Sequence, residues 1–84
     1  MILNLINRMI SLGAMSYTHR TYTDLVLVLG KHTYTLRSWT NNTITYTHRN
    51  TFGYKYITAN YRWAIKDFNR SIEYQTTHQP ELEG

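Results

Sequence analysis

Residues 21–47 read Thr21-Tyr-Thr-Asp-Leu-Val-Leu-Val-Leu-Gly-Lys-His-Thr-Tyr-Thr-Leu-Arg-Ser-Trp-Thr-Asn-Asn-Thr-Ile-Thr-Tyr-Thr47. The triplet Thr-Tyr-Thr occurs in it at 21–23, 33–35 and 45–47, twelve residues apart each time. A strand of seven to nine residues plus a short turn has that period, and Thr, Tyr and Val favour strands. The stretch therefore predicts an antiparallel meander. A small β-solenoid would use the same period. However, Tyr17-Thr18-His19-Arg20 recurs as Tyr46-Thr47-His48-Arg49 at a spacing of 29, which breaks it. The fold class expected is α+β: a three- or four-stranded antiparallel meander with a C-terminal helix on one face and a short N-terminal helix.

Turn chemistry divides the meander. Residues 16–29 read as one long strand, followed by a turn at Gly30-Lys31. The second strand is 32–40. Asn41-Asn42 forms a two-residue turn, because Asn tolerates the left-handed conformation. The third strand is 43–49, and 54–57 reads as a short fourth. A turn at Gly30-Lys31 sets Asp24 opposite Arg37 and Tyr22 opposite Trp39, pairs that stabilise facing strands. A two-residue turn at Asn41-Asn42 sets Trp39 opposite Ile44 and Arg37 opposite Tyr46. Leu25, Leu27, Leu29, Tyr34 and Leu36 then share one face. Tyr22, Val26, Val28, Arg37, Trp39, Ile44, Tyr46 and His48 share the other. A one-residue slip would exchange the faces of a strand.

Outward from the sheet, residues 2–12 carry apolar side chains on one broad helical face, and Gly13 is a natural stop. Residues 60–74 repeat apolar side chains at Tyr61, Ile65, Phe68 and Ile72, a single stripe that predicts a helix capped by Thr58 or Asn60. Residues 1–74 form one domain, and 75–84 read as a flexible tail.

The 84 residues carry a formal charge of +4. All nine Lys and Arg lie in residues 1–74 with only three acids, Asp24, Asp67 and Glu73, so this part holds +9 − 3 = +6. A basic domain attracts polyanions, nucleic acid first. No cysteine is present, which excludes disulfides, thiol chemistry and Cys-based zinc sites. A chain of this length buries only about 60% of its unfolded surface, so its core is thin. The longest apolar run, Leu25–Leu29, is far too short to cross a membrane. A cytoplasmic protein without a membrane role is the expectation.

Two function classes fit. The first is a non-enzymatic nucleic-acid or nucleoprotein-binding module. Arg62, Lys66 and Arg70 recur at four-residue spacing on the last helix, and three like charges there repel unless an anion relieves them. With Arg37 and Arg49 they are the candidate phosphate contacts. Tyr22, Trp39, Tyr46 and Trp63 are the candidate stacking or interface residues, since rings on an open sheet stack on bases. A solvated basic helix face and a second buried core are the structural explanations of the same residues. The second class is a protein-binding inhibitor or adaptor, of the kind common among phage and mobile-element accessory proteins, acting on a host or defence protein. Exposed aromatic residues and sheet edges would supply its interface, and an edge could also pair two copies into a homodimer.

The order helix, three strands, helix resembles the double-stranded-RNA-binding domain, with Gly30-Lys31-His32 placed like that family's Gly and His in its first hairpin loop. Some small toxin ribonucleases are similar in the same way, and that resemblance would make His32 a general base. Otherwise no catalytic constellation appears. The four histidines, His19, His32, His48 and His78, lack zinc-ligand spacing. Asp24, Asp67 and Glu73 are too scattered for a paired-carboxylate site. No cofactor, metal or phosphate-cradling loop is expected.

Overall fold

The computed structural model describes residues 2–77. The elements in order are α1 (Ile2–Ser11), β1 (Met15–Thr18), β2 (Tyr22–Leu29), β3 (His32–Trp39), β4 (Ile44–Asn50), β5 (Lys55–Thr58) and α2 (Tyr61–Thr77). The strands form one antiparallel sheet in the order β1-β2-β3-β4-β5. The α+β meander is thus as expected, with five strands rather than three or four. No helix among the described residues is long and apolar enough to cross a membrane.

The extra strand comes from a turn that carries no Gly, Asn or Pro. Residues 16–29 are two strands, because the chain reverses at Arg20-Thr21, where the His19 amide donates to the Tyr22 carbonyl at 2.8 Å. Thr18 then pairs with Thr23 and Met15 with Val26. At Gly30-Lys31 the turn is the expected one. Gly30 has φ +59, the sign that the first central residue of a hairpin turn requires. The expected pairs follow: Asp24 opposes Arg37 and Tyr22 opposes Trp39.

The β3–β4 turn departs from expectation by one residue, with large consequences. The loop is Thr40-Asn41-Asn42, closed by a bond from the Trp39 amide to the Thr43 carbonyl, 2.9 Å. Asn42, with φ +70, is the one non-glycine residue at positive φ among the described residues. A three-residue hairpin ends in such a left-handed residue. Arg37 therefore opposes Thr45, not Tyr46, and Ser38 opposes Ile44. Because side chains alternate, Ile44, Tyr46 and His48 move to the leucine face.

Both helices cover that one face. α1 lies over β2, α2 over β4 and β5, and the helices touch each other. The core is Leu5 and Met9 of α1, Leu25, Leu27, Tyr34, Leu36 and Tyr46 of the sheet, and Ala64, Phe68 and Ile72 of α2. Gly13, at φ +106, ends α1. The Ala14 amide reaches the Met9 carbonyl and the Gly13 amide the Ile10 carbonyl, both at 3.0 Å, the glycine-terminated pattern that satisfies the last carbonyls. Asn60 caps α2, its Oδ1 accepting from the amides of Arg62 at 2.9 Å and Trp63 at 3.2 Å. The inward stripe of α2 runs through Ala64, Asp67, Phe68 and Ile72, and Tyr61 lies outside it, exposed. α2 also continues to Thr77, so 75–77 are helical. The rest of the expected tail, 78–84, lies outside the described residues.

Candidate functional site

The protein has two surfaces with distinct chemistry, on opposite sides of the sheet. The face away from the helices carries Tyr22, Asp24, Arg37 and Trp39 toward β1, then the threonines 33, 35, 45 and 47, then Arg49 and Lys55. Rings and cations are coupled at one end. Arg37 Nε and Nη2 donate to Asp24 Oδ1 and Oδ2 at 2.7 and 2.9 Å. The Arg37 guanidinium lies 3.8 Å from the Tyr22 ring centre. Trp39 Nε1 donates to Thr45 Oγ1 at 3.1 Å. At the other end Arg49 sits directly opposite Lys55. Like charges placed so repel each other, and an anion between them would relieve the repulsion.

On the helix side, a groove runs between α2 and β5. Trp63, Lys66 and Arg70 of α2 form one wall, and Tyr54 and Tyr56 form the other. It continues into a hollow of about 400 Å³ where Arg70, Ser71 and Tyr74 meet His32, His48 and Asn50. Trp63, Lys66, Arg70 and Tyr74 are spaced by three, four and four residues, so one ridge of the helix presents all four. Lys66 Nζ stands 5.2 Å from the Trp63 ring centre.

Beneath the groove lies a chain of buried polar groups. Asp67 is 7% exposed and His48 4%. Tyr46 Oη donates to Asp67 Oδ2 at 2.7 Å. His48 Nδ1 lies 2.9 Å from the same oxygen, and His48 Nε2 lies 2.7 Å from His32 Nδ1. With the carboxylate as acceptor, His48 Nδ1 carries the hydrogen. His48 Nε2 then accepts from His32 Nδ1–H when both rings are neutral. Burial, then the neighbouring His48, lowers the His32 pKa below 6.5, with Asp67 opposing. Burial and the bond to Asp67 push the Tyr46 hydroxyl far above its ordinary value. Above the chain, Gln75 Nε2 donates to Tyr34 Oη at 2.6 Å, and Tyr34 Oη shares a hydrogen bond of 2.5 Å with Ser71 Oγ. Both ring nitrogens of His48 are thus engaged. Among the described residues no cluster of three or more His, Asp or Glu side chains is set to hold a metal ion.

The candidate residues therefore separate into groups. Tyr22, Arg37, Trp39 and Arg49 share the open sheet face. Trp63, Lys66 and Arg70 line the helix-side groove, and Arg62, one helix position away, does not line it. Tyr46 belongs to neither surface. It is fully buried, because the three-residue loop turns it inward, so it cannot stack on a base. His48, expected on the open face, is buried beside Asp67 for the same reason. Sequence reasoning missed Tyr54, Tyr56, Tyr74 and Asp67. The three-four-four spacing from Trp63 to Tyr74 was the available signal, obscured by the more regular 62-66-70 spacing. Nothing local marks Asp67, which gains its partners only when α2 docks on β4.

No protein-family model, no curated protein and no solved structure matches the chain. The order of elements also departs from the double-stranded-RNA-binding pattern: five strands separate the helices, and Gly30-Lys31-His32 lies at the second hairpin, not the first.

Proposed function

We propose that the protein binds single-stranded nucleic acid along the groove between α2 and β5. The observation that supports this reading is the composition of that groove. Lys66 and Arg70 lie between Trp63 and Tyr74 on one helix ridge, facing Tyr54 and Tyr56. Cations track a phosphate backbone while rings accept bases of any sequence, the arrangement that single-strand binders use. Arg49 and Lys55 project from the opposite side of β4 and β5, so positive charge flanks the β5 edge on both faces.

The test is fluorescence anisotropy with a labelled single-stranded oligonucleotide over a range of salt. The logarithm of the affinity should fall linearly with the logarithm of salt concentration, by a slope of roughly 0.7 per phosphate contact. The double variant K66A/R70A should lose affinity and flatten that slope. Absence of binding at low salt, or binding indifferent to salt, overturns the reading.

A second reading, docking of a protein, is favoured by one observation. The open sheet face exposes Val28 at 63% and Met15 at 60%, and Met15 pairs with Val26, two residues from Val28 on the same face. Apolar side chains grouped on a flat face suit a protein surface better than a polyanion. A partner retained at high salt and after nuclease treatment, and lost with Val28→Asp, is the result this reading requires.

A further inference from the structure

The groove ends at a histidine whose environment is unlike that of a surface residue. His32 stands at the start of β3, partly buried, with its Nδ1 held by His48 Nε2 at 2.7 Å. His48 is held in turn by Asp67 at 2.9 Å. Asp67 is fixed by the Tyr46 hydroxyl at 2.7 Å. Each link has one sensible hydrogen assignment when the rings are neutral, and together they decide the tautomer of His32. The hydrogen sits on Nδ1, so the lone pair sits on Nε2, on the side of the ring away from His48. A proton arriving at Nε2 makes an imidazolium whose Nδ1–H bond to His48 strengthens, backed by the Asp67 carboxylate. A histidine oriented through a second group is the arrangement general-base catalysis uses.

The hollow that contains His32 also contains Arg70, Ser71 and Asn50, so the base lies beside a cation and hydrogen-bonding groups suited to a phosphate. One substrate class needs only a base in that position. An RNA strand carries its own nucleophile, the 2′-hydroxyl, next to each phosphodiester. DNA does not.

We infer that His32, held by His48 and Asp67, is the general base of an RNA-cleaving site at the end of the groove. His32 Nε2 takes the proton of the 2′-hydroxyl. The 2′-oxygen forms a bond to phosphorus, and the bond from phosphorus to the 5′-oxygen breaks. The products are a 2′,3′-cyclic phosphate and a 5′-oxygen that takes a proton from water, after which His32 releases its own proton to solvent. Arg70 balances charge on the phosphoryl oxygens. His48 and Asp67 are positioning residues. The inference rests on the groove being a nucleic-acid site.

His32 is shifted toward the neutral, base-competent form by burial and by His48. The charged and titratable groups around it are His48 and Tyr54 from the sheet side, Tyr34 on its own strand, and Asp67, Arg70 and Tyr74 from α2. Of these, Asp67 raises its proton affinity.

The experiment uses the purified full chain with an end-labelled single-stranded RNA and the DNA of the same sequence, at several pH values. The expected result is cleavage of the RNA alone, leaving a 2′,3′-cyclic phosphate, at a rate that rises with pH and then levels off. H32Q should lower the rate by about 10²–10⁴. D67N should lower it and move the acid limb of the pH profile to lower pH, a displacement that a merely structural role would not produce. If D67N proves unfolded by circular dichroism, H32Q decides alone. RNA that is bound but not cut, or cut equally by H32Q, overturns the inference and leaves the binding proposal standing. RNA that is not bound at all removes both.

Discussion

Arg37 clasps Asp24 across the β2–β3 ladder with two hydrogen bonds of 2.7 and 2.9 Å, on the face of the sheet that no helix covers. The Tyr22 ring lies against the guanidinium, so the pair is sheltered on one side and open to water on the other. Hydrogen bonding to Arg37 holds the Asp24 carboxyl below its ordinary 3.8. A carboxylate whose folded pKa is depressed adds stability above its unfolded pKa and loses it as pH falls through the folded value. Asp24→Asn should therefore lower the melting midpoint at neutral pH and remove part of the acid destabilisation below about pH 4. Parallel stability curves for the variant and parent across that range would refute the assignment. Added salt should weaken the effect, because the pair is partly solvated.

The hydroxyl of Tyr46 contributes to stability beyond the burial of its ring. It donates to the buried Asp67 at 2.7 Å. Tyr46→Phe keeps the ring in the core and removes that donor, at a cost of about 1.5–3 kcal/mol for a hydrogen bond to a charged acceptor. Chemical denaturation, with the denaturant slope unchanged, is the measurement. A variant as stable as the parent would mean that Asp67 does not need this donor.

Phe68 is fully buried and meets Tyr34 edge-on, with ring centres 5.1 Å apart. Phe68→Ala should cost about 3–5 kcal/mol. Domains of this kind hold only roughly 5–15 kcal/mol in total. The variant should therefore lose a large share of its stability and melt well below the parent, which far-ultraviolet circular dichroism would detect. A cooperative transition near the parent's midpoint would show that the core closes around the cavity.

Asn42 carries the β3–β4 loop at φ +70. Asn42→Gly should be neutral or stabilising. Asn42→Val, a branched residue forced into the left-handed region, should cost about 1–2 kcal/mol. Equal midpoints for the two variants would argue that another loop geometry is accessible.

How much of this could be read in the residues alone follows the range of the interactions. The Asp24–Arg37 and Tyr22–Trp39 pairs were legible because a two-residue turn at Gly30-Lys31 fixes the register and leaves one pairing. The groove cations were legible from the periodicity of α2. At Asn41-Asn42 the same logic failed by one residue. Asn accepts positive φ in either a two- or a three-residue loop, and the choice depends on which pairing buries Tyr46 and His48 under α2. The turn at Arg20-Thr21 is closed by backbone bonds, to Tyr22 locally and from the Thr40 amide to the Thr21 carbonyl at 3.0 Å, and by the His19 ring against Tyr22, centres 4.4 Å apart, with no Gly, Asn or Pro to announce it. The His32–His48–Asp67 chain joins three elements, and no local pattern encodes it.

Two groove residues separate the binding proposal from a general effect of charge. Arg62 and Arg70 lie on the same helix and carry the same charge, yet only Arg70 lines the groove. Arg70→Ala should weaken single-strand binding more than Arg62→Ala, and Trp63→Ala should cost about 1–3 kcal/mol of binding if its ring stacks on a base. Anisotropy titrations at one salt concentration suffice. Equal losses for the two arginine variants would point to diffuse attraction rather than a strand in the groove.

The histidine chain should also leave a mark on folding stability that requires no ligand. The His32 pKa is lowered in the folded protein, by burial first and by His48 second. Below the unfolded value of 6.5 the unfolded chain therefore takes up a proton that the folded chain refuses. The sign follows from linkage: the state that binds more protons gains as pH falls. Stability should be full above about pH 6.5, decline as pH falls through the window between the unfolded and folded values, and level off below it. His32→Gln should flatten that decline while leaving the acid transition of Asp24 in place, because the two sites lie on opposite faces of the sheet. Denaturation midpoints measured from neutral pH down to about pH 5 provide the comparison. If the parent and His32→Gln curves run parallel through that range, His32 is freely solvated and its bond to His48 is not maintained in solution.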